Sequence, residues 1–198
     1  MRYDLSVIAS WIEPGAKALD LGCGTGSLLE YLKREKNVRG TGIEIDEDKV
    51  SRAIARGVSA LHGDINEEAA DYPDDMFDYV ILSQTLQQVY NPANIISRML
   101  RIGKRGIVSF PNFGYYRIRA QLLLRGRAPV SRELPFDWYD TPNIRVISIN
   151  DFRMFCAKNG FRILKETAVS SPHHHEKGMT VTFLPNLFAT YGIYLLGR

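Results

Sequence analysis

Asp20-Leu21-Gly22-Cys23-Gly24-Thr25-Gly26, Glu44 and Asp64 are the residues of this chain whose types and spacing suit ligand chemistry. Glycines at alternate positions let bare backbone approach a bound molecule and adopt left-handed φ, where a Cβ would clash or be strained. An acid about twenty residues further on suits a pair of ribose hydroxyls, provided that both features stand at strand ends. A dinucleotide pattern needs its third glycine at position 27, where Ser27 stands instead. A pyrophosphate also favours a helix N-terminus with no carboxylate beside it, yet Asp20 directly precedes the turn. Ile45 and Ile65 follow the two later acids, each placed to pack on a flat ring. Taken singly, Glu44 and Asp64 read equally well as solvated loop acids. The specific feature is the ordered set of glycine turn, first acid and second acid.

Elements that place these residues alternate along the first half. Leu5, Ile8, Trp11 and Ile12 share one helical face before Pro14-Gly15, which predicts a short leading helix. Strands are expected at 16–21, 39–45, 60–62, 77–82 and 106–110, with helices centred on 28–33, 47–56, 65 onward and 95–100. This alternation predicts a parallel sheet with helices on both faces, and ligands on such sheets sit outside the carboxyl ends of the strands. After Pro111 the pattern breaks. Residues 113–125 are helix-like and carry arginines, and the stretch to Asn143 is rich in Pro, Trp, Tyr and charge, as an insertion at about 112–143 would be. A helix resumes over 151–159, capped by Asn150 or Asp151 and ended by Gly160. Strands at 161–169 and 190–196 complete a single domain spanning 1–198.

The glycine turn with its two acids resembles the class I methyltransferases that depend on S-adenosylmethionine (SAM). The resemblance implies a Rossmann-like α/β fold with a seven-stranded, mostly parallel sheet, an antiparallel C-terminal hairpin and helices on both faces. It implies SAM or S-adenosylhomocysteine as cofactor, held by Asp20, Gly22, Cys23, Gly24, Gly26, Glu44, Ile45, Asp64, Ile65 and Ser83. In that reading Asp20 orients the methionine end with its ammonium, Glu44 takes the ribose hydroxyls, and Asp64 takes the adenine amino group. Methyl transfer is an in-line displacement that needs positioning more than acid and base, so no catalytic residue is named. Enzymes that methylate base amino groups carry Asn or Asp with Pro-Pro and an aromatic after the fourth strand. Here Ser83-Gln84-Thr85-Leu86 stands there instead.

Bulk properties narrow the rest. The chain has 198 residues, 45% of them apolar and 24% charged, with a formal net charge of +3. That is an ordinary composition for one globular domain and a weak charge for a nucleic-acid partner, so none is expected. Arg117, Arg119, Arg125 and Arg127 are read first as a solvated face, with an acidic protein surface as the alternative. Two distant cysteines build neither a disulfide framework nor a metal site, which suits a reducing compartment. Cys23 is read as a small packed side chain. No run reaches the roughly 18 apolar residues of a membrane helix, and Met1 to Leu5 lacks the apolar core of a signal peptide. A cytoplasmic protein without a membrane partner is expected. His173-His174-His175 invites a metal reading, but adjacent histidines in a loop diverge and no further ligand stands at metal spacing, so no metal is expected.

The second half carries a narrower resemblance. Phe110-Pro111-Asn112-Phe113-Gly114, the arginine-bearing helix to Gly126-Arg127, Leu134 to Asn143 (with Trp138-Tyr139-Asp140-Thr141-Pro142 inside it), Leu184-Pro185-Asn186-Leu187 and Ser83 to Gln87 together resemble the MetW family of methionine biosynthesis proteins. The resemblance implies a SAM-binding protein acting beside homoserine O-acyltransferase as an activating or regulatory partner. The alternative is an active methyltransferase on a small molecule, with Tyr115, Tyr116, Trp138 and Tyr139 capping the acceptor site. As partner anchors the same aromatics would form an interface; as core they would simply pack.

Overall fold

A computed structural model describes residues 1–131, 134–171 and 176–198. A leading helix α1 (Tyr3–Trp11) precedes five strands connected through four helices: β1 (Lys17–Leu21), α2 (Ser27–Lys36), β2 (Arg39–Glu44), α3 (Glu47–Ala55), β3 (Ser59–His62), α4 (Ile65–Asp71), β4 (Phe77–Ser83), α5 (Pro92–Ile102) and β5 (Gly103–Pro111). Then come α6 (Tyr116–Arg125), α7 (Ile149–Asn159), β6 (Arg162–Ser170), β7 (Met179–Thr180), α8 (Pro185–Phe188) and β8 (Tyr191–Gly197).

The strands form one sheet in the order β3-β2-β1-β4-β5-β8-β6-β7. β1 to β5 pair in parallel, and β8 runs antiparallel to both β5 and β6. The sheet therefore has eight strands rather than the expected seven. The extra one, β7, is a two-residue edge pairing of Met179 and Thr180 with the end of β6, too short to leave a periodic trace.

Alternate residues of each strand feed two cores, because successive side chains point to opposite faces. Ala18, Ile81, Ile107 and Ile193 pack with α1, α2 and α3 on one face. Leu19, Val80, Val108 and Leu196 pack with α4, α5 and α7 on the other. α5 illustrates the local logic: the Asn91 side chain accepts from the Asn94 N–H, Pro92 occupies the first turn, and Ile95, Ile96, Met99 and Leu100 face inward. α7 is capped by Ser148, whose hydroxyl accepts from the Asp151 N–H while the Asp151 carboxylate accepts from the Ser148 N–H. The expected cap, Asn150 or Asp151, is corrected by up to three residues: Asp151 is the reciprocal partner of a capping box.

No helix of the described residues is long and apolar enough to cross a membrane. Between α6 and α7 the described chain forms no regular element. Asn112, which is 1% exposed, ties the turn before α6 to the start of α7 and to α8. The Asn112 amide donates to the Asn186 and Ala189 carbonyls at 3.1 and 2.8 Å, and its oxygen accepts from the Gly114 and Ile149 N–H groups at 2.9 and 3.3 Å. Two distant motifs, Pro111-Asn112-Phe113-Gly114 and Leu184-Pro185-Asn186-Leu187, thus form one structural joint. It also delays the helix, since α6 begins only at Tyr116.

Candidate functional site

The carboxyl ends of β1, β2 and β4 surround a cavity of about 650 Å³. Its floor is the turn after β1. Gly22, Gly24 and Gly26 all take left-handed φ, at 78°, 56° and 75°. The Gly22 and Cys23 N–H groups donate to the Ile43 carbonyl at 2.8 and 3.1 Å, which fastens the turn to β2. Each glycine answers a different constraint. A Cβ on Gly22 would lie 2.6 Å from Thr85 Oγ1, and one on Gly26 would press on Ala53 of α3 at 3.0 Å. A Cβ on Gly24 would meet nothing within 4 Å, and Gly24 presents bare backbone to the cavity.

Glu44 is buried at the end of β2, with both carboxylate oxygens held by backbone. Oε2 accepts from Gly24 N–H at 2.8 Å, and Oε1 from the Ile45 and Asp46 N–H groups at 3.1 and 3.2 Å. It is not the solvated loop acid of the bland reading. Asp20 is 3% exposed, and its Oδ1 is buried with no hydrogen-bond partner. Burial first, and the Glu44 charge second, push the Asp20 carboxyl up to about 7, against a smaller lowering by the Arg2 guanidinium. An unpartnered buried acceptor beside a second carboxylate is costly in isolation; a cationic donor in the cavity would relieve it.

Cys23, Ile45, Asp64, Ile65 and Ser83 also line the cavity. Cys23 fills the space that a Cβ on Gly42 would occupy. Desolvation, then the charges of Asp20 and Glu44, push its thiol up to about 12. Ile45 is exposed into this space. Asp64 caps α4, its Oδ1 accepting from the Asn66 N–H at 2.7 Å and the Asn66 side chain at 2.8 Å. The Ser83 hydroxyl pairs with the Ser109 hydroxyl at 3.0 Å. Of the ten site residues expected from sequence, nine line the cavity; Gly26 does not, and supports the turn from below against α3.

Further groups escaped the sequence reading. Arg2, Lys49, Asn66, Gln88, Val89 and Tyr90 line the same cavity. Arg2 pairs with the buried Asp4 carboxylate, Nη2 to Oδ2 at 2.9 Å, and Asp4 Oδ2 also accepts from Gln84 Nε2 at 2.7 Å. Gln84 holds a left-handed φ of 53°, an uncommon state for a side chain with a Cβ. Its strain is offset by that bond and by the Gln84 N–H donating to the Ser109 carbonyl at 2.8 Å. α1 periodicity reveals a buried face and nothing of this bridge, which only the packed fold brings together. Tyr115, Tyr116, Trp138 and Tyr139 do not line the cavity, and Trp138 and Tyr139 are exposed. They neither cap it nor, in the case of Trp138 and Tyr139, pack in a core.

No cluster of three or more metal-ligating side chains occurs among the described residues. His173, His174 and His175 lie outside the described residues.

The family described as methionine biosynthesis protein MetW matches residues 2–196. A bifunctional methionine biosynthesis protein MetXA/MetW from Rhodopirellula baltica is 36% identical over 162 residues, 77% of this chain and 26% of that one. A demethylmenaquinone methyltransferase from Shouchella clausii is 31% identical over 104 residues, 48% of this chain and 43% of the relative. The chain therefore spans less than half the length of either. Among solved structures, a SAM-dependent methyltransferase from Archaeoglobus fulgidus superposes with a TM-score of 0.70 over 98% of this chain and 91% of its own, at 16% identity. That likeness establishes the class I methyltransferase fold.

Proposed function

The chain belongs to the MetW family of methionine biosynthesis proteins, and from that membership we propose that it is a SAM-binding regulatory partner of homoserine O-acyltransferase in the cytoplasm. The observation that carries the cofactor half is the orphaned Asp20 carboxylate beside Glu44 over an open glycine turn. A SAM molecule offers complementary groups: an ammonium for Asp20, ribose hydroxyls for Glu44, an adenine for Ile45 and Ile65 with its amino group toward Asp64, and a carboxylate for Arg2. Charge-assisted hydrogen bonds of this kind are about twice as strong as neutral ones. SAM itself would supply an electrophilic methyl group when bound. The chain's own residues bind and orient.

The partner half rests on the Rhodopirellula relative, a bifunctional protein that joins MetXA and MetW in one chain. SAM lies downstream of methionine, so a SAM-binding subunit on an early acyltransferase would report end-product level. For that, SAM must bind free and partnered states with different affinity. Acyltransferase activity, measured with and without this protein across a SAM titration, tests the reading. A SAM-dependent shift in activity is expected; no change in either comparison would sink it.

Methyl transfer to a small molecule is the second reading, favoured by the demethylmenaquinone methyltransferase likeness and by the fold. Fold alone does not carry activity. Steady turnover of labelled SAM with any metabolite would move the conclusion to this side.

A further inference from the structure

α6 carries its apolar stripe outward. Of its ten residues only Ile118 is buried. At 100° per residue Tyr116, Ala120, Leu123 and Leu124 fall on one stripe at i, i+4, i+7 and i+8, roughly opposite Ile118. Leu123 and Leu124 are 84% and 81% exposed. The Tyr116 ring lies 6.0 Å from Phe188, which lies 6.4 Å from the exposed Phe183, so the apolar surface continues from the helix onto the loop before β8. Just past the C-terminal end of α6 stands Arg127, which takes part in no ion pair among the described residues; Arg125 falls on the Ile118 side of the helix, away from the stripe. A monomer rarely leaves so continuous an apolar face in water, and stripes with this spacing are the form that an amphipathic helix presents to a partner's groove.

We propose that this face, Tyr116, Leu123, Leu124, Phe183 and Phe188 with Arg127 at its end, docks onto homoserine O-acyltransferase in an apolar groove that carries a carboxylate at its rim; the inference rests on the partnership proposed above. Three observations select that occupant. The Rhodopirellula relative carries the matching region in one polypeptide with the partner function. The Arg127 guanidinium, without an ion pair among the described residues, calls for an acidic side chain opposite, a demand that a second copy presenting the same face does not meet. The face is also linked to the cofactor cavity, as a regulatory interface must be. Beyond α6 the chain returns through Ile144 and Arg145, whose N–H groups both donate to the Gln87 carbonyl at 3.0 Å. The Arg145 guanidinium donates to the Val89 and Tyr90 carbonyls, and Val89 and Tyr90 line the cavity. Docking that shifts this return segment therefore shifts the cavity wall.

The test compares the wild-type chain with Leu123→Glu/Leu124→Glu and with the arginine variant Arg127→Glu. Each is sedimented with the acyltransferase of the same organism and titrated with SAM by calorimetry. The wild type is expected to co-sediment, the leucine variant to lose at least 100-fold in affinity for the enzyme and the arginine variant about tenfold, all with SAM affinity unchanged within twofold. Retained SAM binding certifies that the variants are folded. Wild-type binding with both variants binding equally tightly would overturn the docking face and leave the partnership standing. A wild type that never binds the enzyme would overturn both. Self-association abolished only by the leucine variant, or sedimentation with phosphatidylserine vesicles in place of the enzyme, would assign the face to a second copy or to a lipid surface and overturn the proposal.

Discussion

Two buried polar side chains at the carboxyl ends of β1 and β5, the strands on either side of β4, are settled in opposite ways. Asn112, at the exit of β5, spends its amide on four hydrogen bonds and joins three segments of the second half. Asp20, near the exit of β1, keeps Oδ1 unpartnered under a cavity and beside a second carboxylate. A satisfied polar group in a low-dielectric setting makes a rigid joint, whereas an unsatisfied one stores a demand that a ligand can meet. The first region is built for the fold and the second for a guest.

The contrast breaks most sharply at Asn112. Asn112→Ala orphans two carbonyls and two N–H groups, each worth about 1 kcal/mol or more when left unpaired. Urea unfolding is expected to register a loss of about 4 kcal/mol; a loss below about 1 would mean that the joint is not structural. Next comes Asp20→Asn, for which the two regions predict opposite signs. Removing a buried ionisable group should raise the melting temperature of the unliganded chain at pH 8, while SAM affinity by calorimetry falls about 100-fold, roughly 2.7 kcal/mol. A variant that melts lower and still binds SAM would reverse the assignment. Glu44→Ala removes an acceptor for a ribose pair and leaves the Gly24, Ile45 and Asp46 N–H groups to water, so SAM should bind about thirtyfold more weakly with a stability loss of about 1 kcal/mol. Unchanged affinity would count heavily against the cofactor assignment.

The smallest expected effect is on pH. Asp20 titrates at about 7 in the folded chain against 3.8 for the ordinary carboxyl. Between those values the folded state holds more protons than the unfolded one, so this group's contribution to stability is fully present below about 4 and is lost as pH rises through 7. Binding an ammonium needs the ionised form and expels that proton. SAM affinity should therefore rise about tenfold from pH 5.5 to 7, before the ligand's own amine, near 7.7–8.0 for an α-amino group, begins to titrate. A flat profile, or proton uptake on binding, would show that Asp20 does not face the cation.

Most of the parallel half was legible in the sequence because its signals are local. The glycines at 22, 24 and 26 mark one turn, and the apolar runs before Glu44 and Asp64 place those acids at strand ends. The sequence points to Asn150 or Asp151 as the cap of α7 rather than Ser148 because three polar residues compete within one turn and the deciding bond is reciprocal. Arg2, Asp4 and Gln84 were invisible as a set because they stand eighty residues apart and meet only when α1 packs beside β4. The distinctive motifs around Asn112 and Asn186 carried a family resemblance in sequence but no stated role. The structure gives them one, as the two halves of a joint.

Both cysteines of the chain, Cys23 and Cys156, are buried with thiols pushed up to about 12. At pH 8 only on the order of one in ten thousand of each is thiolate, the form that reacts. Both thiols are therefore expected to react slowly with maleimides. A single cysteine placed at the exposed Trp138 would take a fluorophore selectively, giving an optical reporter on the arginine-bearing half without first removing any native residue.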